Sequence, residues 1–162
     1  MGAKKSSQYA MLPAGTKVSW GADTAEDAAL KPLPNCTAVG KQGAVGGFVD
    51  CTTLLDTQDQ AIADLPKGPE KEFGFIDNPG DADFQAFLDA ATARQTVKIK
   101  IEMPNGRIST SLISLSGWEM AEIQVPANKV ISILVKGKQN DIQWSMKRED
   151  LSRKAKPESV GG

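Results

Sequence analysis

Apolar and polar residues alternate strictly from Val97 to Met103. Val97, Ile99, Ile101 and Met103 fall on one side, and Lys98, Lys100 and Glu102 on the other. A period of two sends the two sets to opposite faces of a strand. Pro104-Asn105-Gly106 then turns the chain and Arg107 to Ser116 returns, so the pair is predicted to be a hairpin. The period just before it is different. Phe84, Phe87, Leu88 and Ala91 recur at i, i+3, i+4 and i+7, which gives one apolar stripe on a helix. Asn78 is a suitable cap and Pro79 suits a first turn. Asp81 and Asp83 complement the positive end of the helix dipole, and Arg94 the negative end. The predicted helix is 79–94.

Five further stretches have strand character: 16–20, 48–55, 72–76, 130–135 and 142–146, the last two split by a turn at 136–141. Residues 21–34 read as a loop with at most one helical turn. Gly40, Gly43, Gly46 and Gly47 mark a turn or bulge region. Between the strands at 48–55 and 72–76 lies a long aperiodic segment, 56–71, with four acidic residues and prolines at 66 and 69. A connection of that length in a small domain is functional or disordered. Leu54, Leu55, Ile62 and Leu65 argue that this region docks on something. The expected organisation is an arm at 1–15, a domain at 16–147 and a second arm at 148–162. About seven short strands and one helix give a mainly β fold: an antiparallel sandwich or barrel with a flanking helix and flexible arms.

Composition narrows the chemistry. The 162 residues contain no histidine, which excludes Ser-His-Asp and Cys-His catalysis and every metal site that needs imidazole. No apolar run is long enough to span a bilayer, and the first residues lack the apolar stretch of a secretory signal, so cytosolic synthesis is expected. The net charge of −1 conceals three blocks: +1 over residues 1–50, −7 over 51–90 and +5 over 91–162. Opposed faces would favour head-to-tail association of copies; if the blocks interleave in space, the field cancels. No basic run with interleaved aromatics points to nucleic-acid binding.

The remaining candidates are weak. Gly40-Lys41 is followed by Gln42 where a phosphate loop needs Ser or Thr. Asp81 and Asp83 are two apart on a helix, pointing in different directions, and decorate its start better than they share a substrate. A carboxylate hydrolase using Asp81, Asp83 or Glu102 lacks a convergent partner group. Cys36 and Cys51 are read as reduced thiols rather than a disulfide. Trp20, Trp118 and Trp144 are read as core or interface anchors rather than a ligand site. No catalytic residue, cofactor or metal is expected.

The order of elements carries a resemblance. Val-Asp-Cys-Thr-Thr-Leu (49–54) precedes the long loop. A Phe-x-Phe strand (73–75) and a helix with Gln-Ala-Phe-Leu (85–88) follow, and then a strand closed by Met-Pro-Asn-Gly (103–106). Over about residues 15–147 this resembles the tail tube (major tail) proteins of long-tailed bacteriophages. The resemblance implies hexameric rings joined by strand pairing into a continuous inner barrel. The rings would stack into a hollow tube around a tape measure protein, bounded by tail terminator and tail tip proteins, and genomic DNA would pass through without specific binding. It implies a virion location after assembly in the host cytoplasm, and no insertion into a membrane. The expected subunit or ring contacts are Leu54, Leu55, Asp56, Asp59, Ile62, Asp64 and Leu65. Ser109, Thr110, Ser111, Ser114 and Ser116 are the candidate polar wall of the lumen, or the solvent side of an ordinary sheet. The alternative is a ring-forming adaptor that does not stack, such as a tail terminator or baseplate protein.

Overall fold

The alternating runs become strands and the stripe becomes a helix. In a computed structural model, which describes residues 3, 5–124 and 130–147, the elements are β1 (Lys17–Ala22), β2 (Lys31–Pro32), β3 (Cys36–Ala38), β4 (Phe48–Asp50), β5 (Ala61–Ala63), β6 (Glu70–Ile76), α1 (Ala82–Thr92), β7 (Thr96–Glu102), β8 (Arg107–Met120) and β9 (Ser132–Met146). Seven strands form one antiparallel sheet in the order β2-β1-β7-β8-β9-β6-β3, curled into a half-barrel. Among the described residues β4 and β5 pair only with each other. The fold is therefore mainly β with one helix, as the pattern predicts.

The inner side of the half-barrel is filled by Val97, Ile99, Ile101, Ile113, Leu115, Ile133, Val135, Phe73 and Phe75. Helix α1 closes it with Phe84, Phe87, Leu88 and Ala91, the predicted stripe. Phe75 meets Phe84 at 5.3 Å and Phe87 at 5.6 Å between ring centroids, and Trp20 meets Phe87 edge-on at 5.3 Å. Such tilted pairs add roughly 0.5–1.5 kcal/mol each to the gain from burial.

Both helix ends differ from expectation. Asp81, not Asn78, is the cap: its carboxylate accepts from the Asp83 amide at 3.0 Å. Asn78 instead opens a turn closed by Asp81 N–H on its carbonyl. Starting after Gly80 spares the helix an interior glycine, which costs about 1 kcal/mol. At the other end Arg94 lies outside the helix. Its amide and that of Gln95 donate to the Ala91 and Ala90 carbonyls. This crossed pair requires a left-handed residue, and Arg94 supplies it at φ 56°.

The 136–141 region is not a turn. β9 runs unbroken through it, paired with β8 from Met146 to Ile133. The polar residues there alternate in and out of the sheet, and the irregularity is absorbed by two one-residue bulges: Asn140 on β9, opposite Leu112/Ile113, and Ser116 on β8, between Leu115 and Gly117. The expected arm at 1–15 contains a 3-10 turn at Ser6–Gln8. The expected arm at 148–162 lies outside the described residues.

Candidate subunit-contact site

Between Gly43 and Gly68 the chain leaves the half-barrel and returns as a β-hairpin arm. Val45 and Lys67 exchange backbone hydrogen bonds at its base. β4 then pairs with β5, Phe48 opposite Ala63 and Val49 opposite Ile62. The predicted strand at 48–55 therefore stops at Asp50, and the aperiodic segment 56–71 holds the second strand of the hairpin. The tip is a locked turn. Asp56 N–H donates to the Thr53 carbonyl, while the Asp56 carboxylate accepts from the Thr53 amide at 2.8 Å. Asp50 likewise accepts from the Thr52 hydroxyl at 2.6 Å and its amide at 2.9 Å. Those bonds favour the charged form and hold the Asp50 carboxyl below its ordinary pKa. The turn displays Leu54 and Leu55, both fully exposed. Phe48, Ile62 and Leu65 are exposed along the arm as well.

The arm is fastened to the barrel through a polar corner of the core. Lys71, only 3% exposed, donates from Nζ to Gln42 Oε1 at 2.9 Å. Ser109 Oγ donates to the same oxygen at 3.2 Å, and Gln139 Nε2 donates to the Gly43 carbonyl at 2.9 Å. Gln42, the residue that breaks the phosphate-loop pattern, thus joins Lys71 and Ser109 through one side-chain oxygen. Burial pushes the Lys71 amine down to about 8. Gly68 crosses the Gln139 carbonyl so closely that a Cβ would overlap it.

The ribbon β8–β9 outruns its neighbours at both ends. β7 covers β8 only as far as Ser114, so the Gly117–Met120 edge carries no strand on that side among the described residues. β6 covers β9 from Ser132 to Lys138, and among the described residues Asn140–Met146 has β8 as its one strand partner. Unpaired edges template pairing with another chain.

The predicted polar wall is divided by the pleat. Ser109 and Ser111 are 0% and 1% exposed and face the core, so they cannot line a lumen. Thr110, Ser114 and Ser116 lie on the opposite face, and Ser114 and Ser116 join Glu70, Glu72, Lys136 and Lys138 around a cleft of about 440 Å³. There Asn140 Nδ2 donates to Ser114 Oγ at 2.6 Å, and Ser116 Oγ donates to the Lys136 carbonyl. The register places Glu70 opposite Lys138 and Glu72 opposite Lys136. Lys136 Nζ donates to the Glu119 carboxylate, and that bond with the attraction between the two charges holds the lysine above its ordinary pKa. Burial raises the Glu102 carboxyl, but hydrogen bonds from Lys147 and Lys100 outweigh it and leave the group below its usual value.

The weaker candidates have structural occupations. Asp83 pairs with Lys31 at 3.3 Å. Trp118 Nε1 donates to Thr92 Oγ1, and Trp20 packs in the core. Cys36 and Cys51 are free thiols, with burial raising Cys36 to about 11. Among the described residues no cluster of three His, Cys, Asp or Glu could hold a metal ion.

A family model described as the phage tail tube protein family matches residues 11–147. The chain belongs to that family. It is a tail tube structural protein, and the exposed arm and open strand edges are read on that basis. No curated protein matches in sequence. The tail tube chain is similar in fold to a chain of the PVC sheath-tube complex of an extracellular contractile injection system, with TM-score 0.68 and 9% identity, over 90% of this chain and 100% of that one. It is similar to a chain of the PVC sheath/tube terminator, with TM-score 0.67 and 9% identity, over 85% and 97%. It is similar also to a chain of the tail of an empty gene transfer agent particle with C6 symmetry, with TM-score 0.57 and 10% identity, over 90% and 99%. At these identities the likeness is one of fold.

Proposed function

We propose that this tail tube protein builds hexameric rings that stack into the hollow tube of a phage tail. The two unpaired edges of the β8–β9 ribbon carry the reading. They lie on different strands at opposite ends of one ribbon, so the contact they make is head to tail, the kind that gives a ring when its rotation closes. Asn140–Met146 of one copy pairs with Gly117–Met120 of the next. The C6 tail of the gene transfer agent supports six copies. The arm then reaches a neighbouring subunit or ring through Leu54, Leu55, Ile62 and Leu65, with Asp56, Asp59 and Asp64 steering the approach.

The face with Thr110, Ser114 and Ser116 lines the lumen. Its lysines and glutamates alternate across strands, so little net charge is left to grip phosphate, and DNA slides past. The tube encloses a tape measure protein and ends at terminator and tip proteins. It forms in the host cytoplasm and functions in the virion, with no reaction to catalyse.

Electron microscopy of purified protein at rising concentration tests this. Rings and tubes are expected; persistent monomers, even beside the other tail components, would refute it. The likeness to a sheath/tube terminator favours one rival, a single closed ring that refuses to stack. Axial growth separates the two.

A further inference from the structure

The half-barrel has an open seam. Its walls are Thr16 and Val18, at the start of β1, and Cys36–Val39, along β3, with Pro13, Ala14 and Gly15 at one end. They enclose a groove of about 480 Å³. None of the nine lining residues is charged, and most are small. Among the described residues β3 pairs with β6 alone. The groove is therefore an uncharged slot beside a strand edge that no other described strand covers, ample for two leucine side chains.

We infer that this seam receives the Leu54–Leu55 tip of the arm of a second copy. The inference rests on the tube reading and goes beyond it by naming the receiving surface. Three observations select this occupant. Both leucines are fully exposed, so the arm does not fill the groove of its own chain. The turn that displays them is locked by Asp56 and Thr53, so docking costs little ordering entropy. The charges match: Asp50, Asp56 and Asp59 flank the tip, and exposed Lys17 and Lys41 flank the groove. Seating the tip covers apolar surface on both partners without burying a charge.

The test is a mixed crosslink between two chains that each carry one cysteine. Ala38→Cys and Leu54→Cys are made separately on a Cys36→Ser, Cys51→Ser background, mixed in equal amounts, assembled and mildly oxidised. A covalent dimer is expected from the mixture and from neither chain alone. Tubes that form without this dimer overturn the seam assignment and leave the tube reading standing; failure of the unmodified chain to form tubes strikes the tube reading instead. If Ala38→Cys links within its own chain to Ala155→Cys, the groove belongs to the C-terminal segment and the inference is wrong. As a second measure, Leu54→Ser with Leu55→Ser should raise the concentration needed for tubes at least tenfold while the monomer melts as before. An unchanged assembly threshold would also overturn it.

Discussion

The Asp56 carboxylate accepts two hydrogen bonds from Thr53, one from the amide at 2.8 Å and one from the hydroxyl at 3.1 Å. An exposed turn rarely holds its shape unaided, and here one side chain closes it from below. Asp56→Ala should leave the barrel intact, with stability within about 0.5 kcal/mol of the parent, because nothing buried is touched. It should slow assembly several-fold by loosening the display of Leu54 and Leu55. Thermal melting and light scattering on the same preparations read the two effects separately.

Charge on the arm acts at longer range. Asp56, Asp59 and Asp64 changed together to Asn keep hydrogen-bonding oxygens but lose three negative charges. Tube growth should slow at low ionic strength, and the gap should close above about 0.5 M salt, where the Debye length is about 4 Å. Equal growth at low salt would remove electrostatic steering.

Lys71 is a cation in the core with no salt bridge to a carboxylate among the described residues. Its folded pKa is about 8 against an ordinary 10.5. Below about pH 8 both folded and unfolded chains hold the proton, so the folded state bears the whole penalty. Between about 8 and 10.5 only the unfolded chain holds it, so stability rises with pH across that window. Lys71→Met should stabilise the protein at pH 7 by about 1–3 kcal/mol and flatten the rise. Gln42 keeps its bond from Ser109. Denaturant melts at pH 7 and pH 10 check both parts.

Arg94 holds a left-handed conformation that a side chain disfavours by roughly 1 kcal/mol. Arg94→Gly should recover about 0.5–1 kcal/mol, seen as a rise of a few degrees in Tm. A lower Tm would mean the side chain contributes more than its backbone costs.

Much of the fold was legible because periodicity reports which face is buried. The helix stripe of Phe84, Phe87 and Leu88 and the alternation of Val97, Ile99 and Ile101 meet the core as read. Ser109 and Ser111 misled because a polar residue normally signals the solvent face. Here they occupy inward positions beside the polar corner built by Lys71, Gln42 and Gln139, contacts that span up to 96 residues of chain. The 136–141 stretch misled for the same reason, since polar residues on a two-sided ribbon look like a turn. The arm hid because β4 and β5 are three residues each and bury nothing. Its turn chemistry, Asp50 with Thr52 and Thr53 with Asp56, was the available signal.

If the two bare edges of the β8–β9 ribbon pair between copies as proposed, they also govern how assembly starts. A linear row of subunits always keeps one unsatisfied edge at each end, whatever its length, so adding a copy gains a joint without removing the deficit. Closing the circle satisfies both ends in one intramolecular step, free of the entropic cost of recruiting another molecule. Partial rows should therefore be scarce, and material should pass from single chains to complete circles over a narrow range of concentration.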